Sequence, residues 1–343
     1  MGALSLSLHL SLCLLLLHFV ISAEMAVPES RQPAAALSSP LPAETAGDEL
    51  SFGHYANTCP NMESIVHNKV NKWSALDPSL APSIIRLHFH DCAVRGCDAS
   101  ILLNHAASER TAVESKTLRG FEVIDDIKAE LEKKCPKTVS CADILASAAR
   151  EATVKAGGPF WEVPYGRKDG RVSLAQEASQ VPMGHENVTY LIEFFQAKGL
   201  NLLDLVVLSG SHTIGRSTCG SVQGRLYNFK GTGKPDPSIN ANYLNYLKRK
   251  CRWASEYVEL DATTPTKFDS VYYTNLQRKM GLLLTDQLLN SDSRTSLIVS
   301  ALATQPMLFY QQFSVSMTNL GNVQVLTGDE GEIRTNCNFI NRY

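Results

Sequence analysis

The chain has 343 residues, of which 32 are basic and 34 acidic, for a formal charge of −2. That balance gives nucleic acid or an anionic membrane surface nothing to hold. The length suffices for a large core in one or two domains.

Residues 1–23 form a leucine-rich run ending Ile21-Ser22-Ala23, whose small residues mark a signal-peptide cleavage site. The run lacks a lysine or arginine at its start, and a membrane anchor is the alternative. The polar residues scattered through it, and the Pro/Ala-rich stretch after it, argue against an anchor. No later segment has the roughly 18 unbroken apolar residues that a span needs. Residues 24–49 are rich in Pro, Ala, Ser and Glu, which predicts a disordered leader or propeptide. The globular part, residues 50–343, opens near Phe52-Gly-His-Tyr-Ala-Asn-Thr-Cys-Pro60.

Helical periods dominate from there. Met62 to Leu76 repeats Ile65, Val66, Val70 and Trp73 at helical spacing. Ser83-Ile84-Ile85-Arg86-Leu87 reads as the apolar-periodic end of a helix, on which Arg86 and His90 stand at i and i+4 and share a face. A cation beside an imidazole lowers its pKa and keeps it a neutral base. That pair suits acid–base work on a small polar substrate. The apolar neighbours argue against a merely solvated face. His88 and His90 as zinc ligands of a hydrolase are disfavoured, because i and i+2 point to different faces. Next to the pair, Asp91, Asp98 and Ser100 offer hard oxygens on a loop that Cys92 and Cys97 could staple. Such a loop suits calcium, or is an ordinary acidic surface loop.

Phe121 to Lys134 predicts another amphipathic helix. Ser140 caps the next, with Asp143 three residues on, and Gly157-Gly158-Pro159 ends it. Asn187 caps a helix running to Gly199, and Asn187-Val-Thr189 is a glycan sequon in a secreted chain. The run Asp204-Leu-Val-Val-Leu-Ser-Gly-Ser-His-Thr-Ile-Gly215 carries His212, and a lone histidine there is more often a core residue than a ligand. Asp269 to Gly281 and Pro306 to Gly321 are two further helices, and Asp286 between them reads as a helix cap. Strand signals are short, as at Val323-Gln-Val-Leu326. The fold class is mainly α. Of nine cysteines, Cys13 lies in the candidate signal, and the eight that remain in a secreted chain imply disulfides of unassigned pairing. No C-x-x-C pair favours zinc.

Two stretches, Arg86-Leu-His-Phe-His-Asp-Cys-Ala-Val-Arg-Gly-Cys-Asp-Ala-Ser100 and Asp204 to Gly215, carry a resemblance. In this order and with these cysteines, they resemble the distal and proximal motifs of the plant secretory (class III) haem peroxidases, over roughly Leu50 to Tyr343. The resemblance implies a haem-peroxidase-type fold of about ten helices in two domains around a haem cleft. It implies few short β-strands and four disulfides: Cys59–Cys135, Cys92–Cys97, Cys141–Cys337 and Cys219–Cys251. His212 would be the axial ligand of haem b iron, with Asp286 accepting from its other N–H. His90 would move the peroxide proton, Arg86 would hold the developing charge, and Phe89 would pack against the haem. Two Ca2+ ions are implied. One would take Asp91, Val94, Gly96, Asp98 and Ser100, the other Thr213, Asp261, Thr264, Lys267 and Asp269.

The partners implied are hydrogen peroxide and small phenolic donors oxidised in one-electron steps, with Pro182 at the donor rim; in any other loop a proline is ordinary turn chemistry. Family roles are lignin and cell-wall cross-linking, peroxide removal and stress response. A monomer is expected, with no nucleic acid and no membrane after signal removal. Six residues follow Cys337, which leaves no long sorting tail and favours the extracellular space or cell wall. The sequence departs from the family pattern in Glu109-Arg-Thr-Ala-Val-Glu-Ser-Lys-Thr-Leu-Arg119, which lacks the asparagine that usually accepts from the distal histidine. Glu114 or Ser115 must fill its place. Glu114 is the expectation, and its charge would raise the pKa of His90 and move the acid limb of the peroxide reaction upward. Ala93 stands where the family has phenylalanine, and no effect follows from the sequence. The alternative function is a non-catalytic, disulfide-stapled cell-wall protein derived from the enzyme.

Overall fold

Helices α1 (Met62–Leu76) and α2 (Leu80–Val94) turn their apolar stripes onto α4 (Cys141–Lys155), the most enclosed helix among the described residues. Every residue of α4 from Cys141 to Thr153 is buried, and its alanines at 142, 146, 148, 149 and 152 let the neighbouring helices approach closely. The computed structural model describes residues 50–342. The expected signal peptide (1–23) and leader (24–49) lie outside the described residues.

Helix α3 (Phe121–Lys134) covers α1 and buries Val123, Ile124, Ile127 and Leu131. Ser140 caps α4 as expected, its Oγ accepting from Asp143 N at 3.1 Å. The chain then builds α5 (Val188–Ala197), α6 (Leu202–Ser209), α9 (Val271–Gln277), α10 (Leu284–Ser291), α11 (Ser296–Thr304) and α12 (Pro306–Gly321) onto the same core. A second, smaller core forms around the β1 (Arg216–Thr218) and β2 (Tyr257–Glu259) pair, with α7 (Gln223–Tyr227) and α8 (Ala241–Lys250). The two strands run antiparallel, with Ser217 opposite Val258. The described residues make one compact unit holding both cores.

The described residues therefore hold twelve α-helices. Helices α6, α7, α8, α10 and α11, each ten residues or shorter, escape the sequence reading, whereas the equally short α5 and α9 are read within the longer stretches 187–199 and 269–281. One expectation is overturned. Val323 to Leu326 is not a strand, because Gln324 has φ of 46° and turns the chain out of extension. Leu326 keeps only an isolated bridge to Lys168. The turn is pressed onto Gly96, itself at φ 99°, where any Cβ would strike the Gln324 backbone.

All four implied disulfides form: Cys59–Cys135, Cys92–Cys97, Cys141–Cys337 and Cys219–Cys251. Cys141–Cys337 closes the longest loop, 196 residues, and ties the C-terminal segment to the start of α4. In the loop-entropy account the longest loop gives the largest gain. Replacing both cysteines with serine is expected to lower the unfolding free energy by about 2–5 kcal/mol, measured by denaturant titration against the same pair of changes at Cys92 and Cys97.

Candidate active site

Helix α2 carries Arg86 and His90. Its buried side, with Ile84, Leu87 and His88, locks the helix into the core, so Arg86 and His90 one turn apart project from the opposite side. Arg86 donates from Nη1 to Thr117 Oγ1 at 3.0 Å and from Nη2 to the Glu114 carbonyl at 3.2 Å. Burial pulls its pKa down to about 10, so it remains charged. His90 is buried, and burial, followed by the Arg86 charge, holds its pKa well below the usual imidazole value. It is a neutral base. Phe89 lies beside it, stacked on Phe195 of α5 at 6.3 Å. His88 turns into the core against the Cys92 sulfur, 3.7 Å away. It forms a tight cluster with Cys92 and Cys97, but both sulfurs are spent in a disulfide and cannot act as thiolates toward zinc.

His212 comes from the end of α6. Asn201 caps that helix, and Asp204 completes the capping box while accepting from Ser316 Oγ at 2.8 Å on α12. The short turn Gly210–Thr213 then presents His212, whose Nδ1 meets Asp286 Oδ1 at 2.8 Å. Asp286 also accepts from Leu283 N at 3.0 Å and from Tyr272 OH at 3.0 Å. It is therefore not the N-cap that the sequence suggested, which is Leu283, but sits three residues on, bonding back to the Leu283 amide while also partnering the histidine. No partner for His212 Nε2 exists among the described residues, although the side chain is only 36% exposed. Gly215, three residues on, packs against Pro82 of α2, where an added Cβ would sit 3.0 Å from the proline ring. The segment that carries His212 and the helix that carries Arg86 and His90 are therefore neighbours.

Two groups of oxygens flank these histidines. Asp91, Asp98 and Glu109 are buried together with no ion-pair partner among the described residues. Ser100 Oγ and Glu109 Oε2 have no hydrogen-bond partner. Burial and mutual repulsion push Asp91 well above the carboxylate range, and burial with Asp98 nearby pushes Glu109 up to about 7. Of the carbonyls, Val94 O accepts from Lys198 Nζ at 2.6 Å and Gly96 O from Asp98 N at 2.9 Å. In the second group Thr213 Oγ1 and Thr264 Oγ1 reach Asp269 Oδ1 at 3.3 and 3.1 Å, and Thr213 also reaches the Lys267 carbonyl at 3.3 Å. Asp261 Oδ1 accepts from Thr264 N, while its buried Oδ2 is unpartnered.

Residues 66–305 match the family model described as Peroxidase. Peroxidase 7 of Arabidopsis thaliana is 56% identical over 295 residues, covering 85% of this chain and 84% of that protein. Peroxidase 28 of the same plant is 43% identical over 300 residues (85% and 94%), and Peroxidase N1 of Nicotiana tabacum 45% over 302 (86% and 92%). The chain belongs to the peroxidase family. It is a haem peroxidase, an enzyme that uses hydrogen peroxide. The alternative of a non-catalytic stapled protein is not favoured. A histidine with Nδ1 anchored on a carboxylate and Nε2 free fits an axial haem ligand.

The peroxidase departs from the sequence expectation at Glu114. His90 Nδ1 is buried without a partner, and Glu114 offers only its backbone carbonyl, to Arg86. The pKa of His90 moves down, because burial outweighs any charge from that loop. Sequence reasoning also missed Glu109, Lys198 and Tyr272, which sit in polar loops or between apolar residues without a motif of their own. Of the other expected residues, Pro182 is half-buried in a loop whose amides from Met183 to His185 donate to the Glu186 carboxylate. Gly184 of that loop accepts from Leu284 N and Thr285 N, at the start of the helix that holds Asp286. Asn187 is exposed, with its Oδ1 accepting from Tyr190 N at 2.9 Å. No helix among the described residues is long and apolar enough to cross a membrane.

Prolonged EDTA treatment tests the oxygen clusters. Like carboxylates buried without a counter-charge are costly, and hard oxygens select calcium. The expected outcome is a lower melting temperature and an altered haem spectrum, both restored by Ca2+. An unchanged protein would count against cation binding at either cluster.

Proposed function

We propose that this chain is a secreted class III peroxidase that oxidises small phenolic donors in one-electron steps. In this reading residues 1–23 are the signal peptide, 24–49 a leader and 50–343 the catalytic domain. It works as a monomer in the extracellular space or cell wall, braced by two Ca2+ ions and glycosylated at Asn187. His212 Nε2 would hold haem b, which supplies the redox-active iron that peroxide and donor meet. His90 would take a proton from hydrogen peroxide and return it to the departing oxygen. Arg86 holds the negative charge that develops as the O–O bond breaks. Phe89 narrows the approach, and the Pro182 loop forms the rim where donors dock. The first calcium site uses Asp91, Val94, Gly96, Asp98 and Ser100, and the second Thr213, Asp261, Thr264, Lys267 and Asp269. Since Asp91 adjoins His90 and Thr213 adjoins His212, each ion steadies one face.

The observation that carries this reading is a pair of histidines with opposite settings: one anchored to a carboxylate with its far nitrogen free, the other buried, neutral and next to an arginine. The test is an absorption spectrum of the haem-reconstituted protein, with and without peroxide, followed by guaiacol turnover. A Soret band that shifts with peroxide is expected, and its absence would overturn the proposal. Replacing His90 with alanine is expected to slow the peroxide step by about 10²–10⁴, the usual share of a positioned base.

Ser115 takes the place of the missing distal asparagine. Its Oγ, like His90 Nδ1, is buried and unpartnered. Ser115 sits between Glu114 and Thr117, the two residues that bond Arg86 one turn from His90. One bridging water would satisfy both atoms. Stopped-flow mixing with peroxide separates the candidates. Ser115→Ala is expected to slow the reaction roughly fivefold, the worth of about 1 kcal/mol of lost hydrogen bonding. Glu114→Gln is expected to leave both the rate and its acid limb unmoved.

A further inference from the structure

The carboxylate of Asp286 is buried and shared. His212 Nδ1 lies 2.8 Å from Oδ1, Tyr272 OH donates to the same oxygen at 3.0 Å, and Leu283 N takes Oδ2. Tyr272 is among the largest fully buried side chains, with its ring edge-on to His212 at 6.3 Å and to Tyr273 at 5.0 Å. A phenylalanine would fill that space. The hydroxyl needs a partner once buried, and its only partner among the described residues is the oxygen that anchors His212.

We propose that Tyr272 is a positioning residue that shares Asp286 Oδ1 with His212 and so limits how strongly the carboxylate draws on the Nδ1 proton. The proposal rests on the reading of His212 as the iron's ligand. Two donors on one anionic oxygen divide its charge, and charge-assisted hydrogen bonds are sensitive to that division. The more the carboxylate pulls on Nδ1–H, the more electron density Nε2 gives to the metal, and hydrogen bonding behind the axial ligand is one of the levers on haem potential. Tyr272 moderates that pull. Burial, then the charge of Asp286, pushes the phenol well above its ordinary pKa, so it stays a donor.

The test is Tyr272→Phe in the full chain reconstituted with haem, since it removes the hydroxyl and keeps the ring contact. Two readings are taken: the ferric/ferrous midpoint potential and the iron–histidine stretching frequency of the ferrous protein by resonance Raman. With the hydroxyl gone, Oδ1 acts on His212 alone. The midpoint is expected to move negative and the stretching frequency to rise. Asp286→Asn serves as the opposite control, with a positive shift and a lower frequency. If Tyr272→Phe moves neither reading while Asp286→Asn moves both, the proposal is overturned. Should the phenylalanine variant fail to fold, 3-fluorotyrosine placed at position 272 provides a stronger donor. It is expected to shift both readings opposite to the loss of the hydroxyl, and no shift overturns the proposal. A wild-type spectrum without a histidine-bound iron would instead remove the reading of His212, and this proposal with it.

Discussion

The hydrogen bond between His212 and Asp286 joins positions 74 residues apart, and much of the fold holds its two ends still. One end hangs from α6, whose capping box and ties to α12 fix the turn that follows it. The other lies in the first turn of α10, whose first amides are held by the Gly184 carbonyl of the Pro182 loop. A bond of this kind has value only if neither partner can drift. The apolar packing of α6, α9 and α12 around Tyr273 and Phe309 supplies that rigidity.

On α2, the state of the Arg86–His90 pair depends on dehydration. Arg86 and His90 have ordinary side chains in an unusual setting, and burial is the largest cause of both shifts. A cation one turn away from a buried imidazole makes the neutral base the stable form, which is the form that can accept a proton. The cost is borne by the packing of α2, whose Leu80, Ile84, Ile85, Leu87 and His88 are buried in the core.

The buried carboxylates follow a different logic. Asp91, Asp98 and Glu109 stand close together inside the protein, and buried Asp261 faces half-buried Asp269 near the other histidine. Left alone they would repel. A hard divalent cation would offset that repulsion by drawing oxygens from distant positions to one point. Gly170 shows how tightly the first cluster is built: a Cβ there would collide with Asp98 Oδ2.

The sequence by itself determined what is local. Helical period placed Met62–Leu76, Phe121–Lys134 and Pro306–Gly321 to the residue, and i, i+4 spacing put Arg86 and His90 on one face. The two motifs pointed to the family, and through it to the disulfide pairs and to the His212–Asp286 bond. Tertiary structure decided what depends on neighbours far away in the chain. The short helices around α7 and α10 exist because the core accepts them, since their own periods are too few. Gln324 turns left-handed against Gly96, which no local propensity announces. The direction of the His90 shift, the idle carboxylate of Glu114 and the phenol of Tyr272 on Asp286 are likewise matters of burial and distance. Residue identity sets which bonds a side chain can make, and only packing sets which partners come within reach.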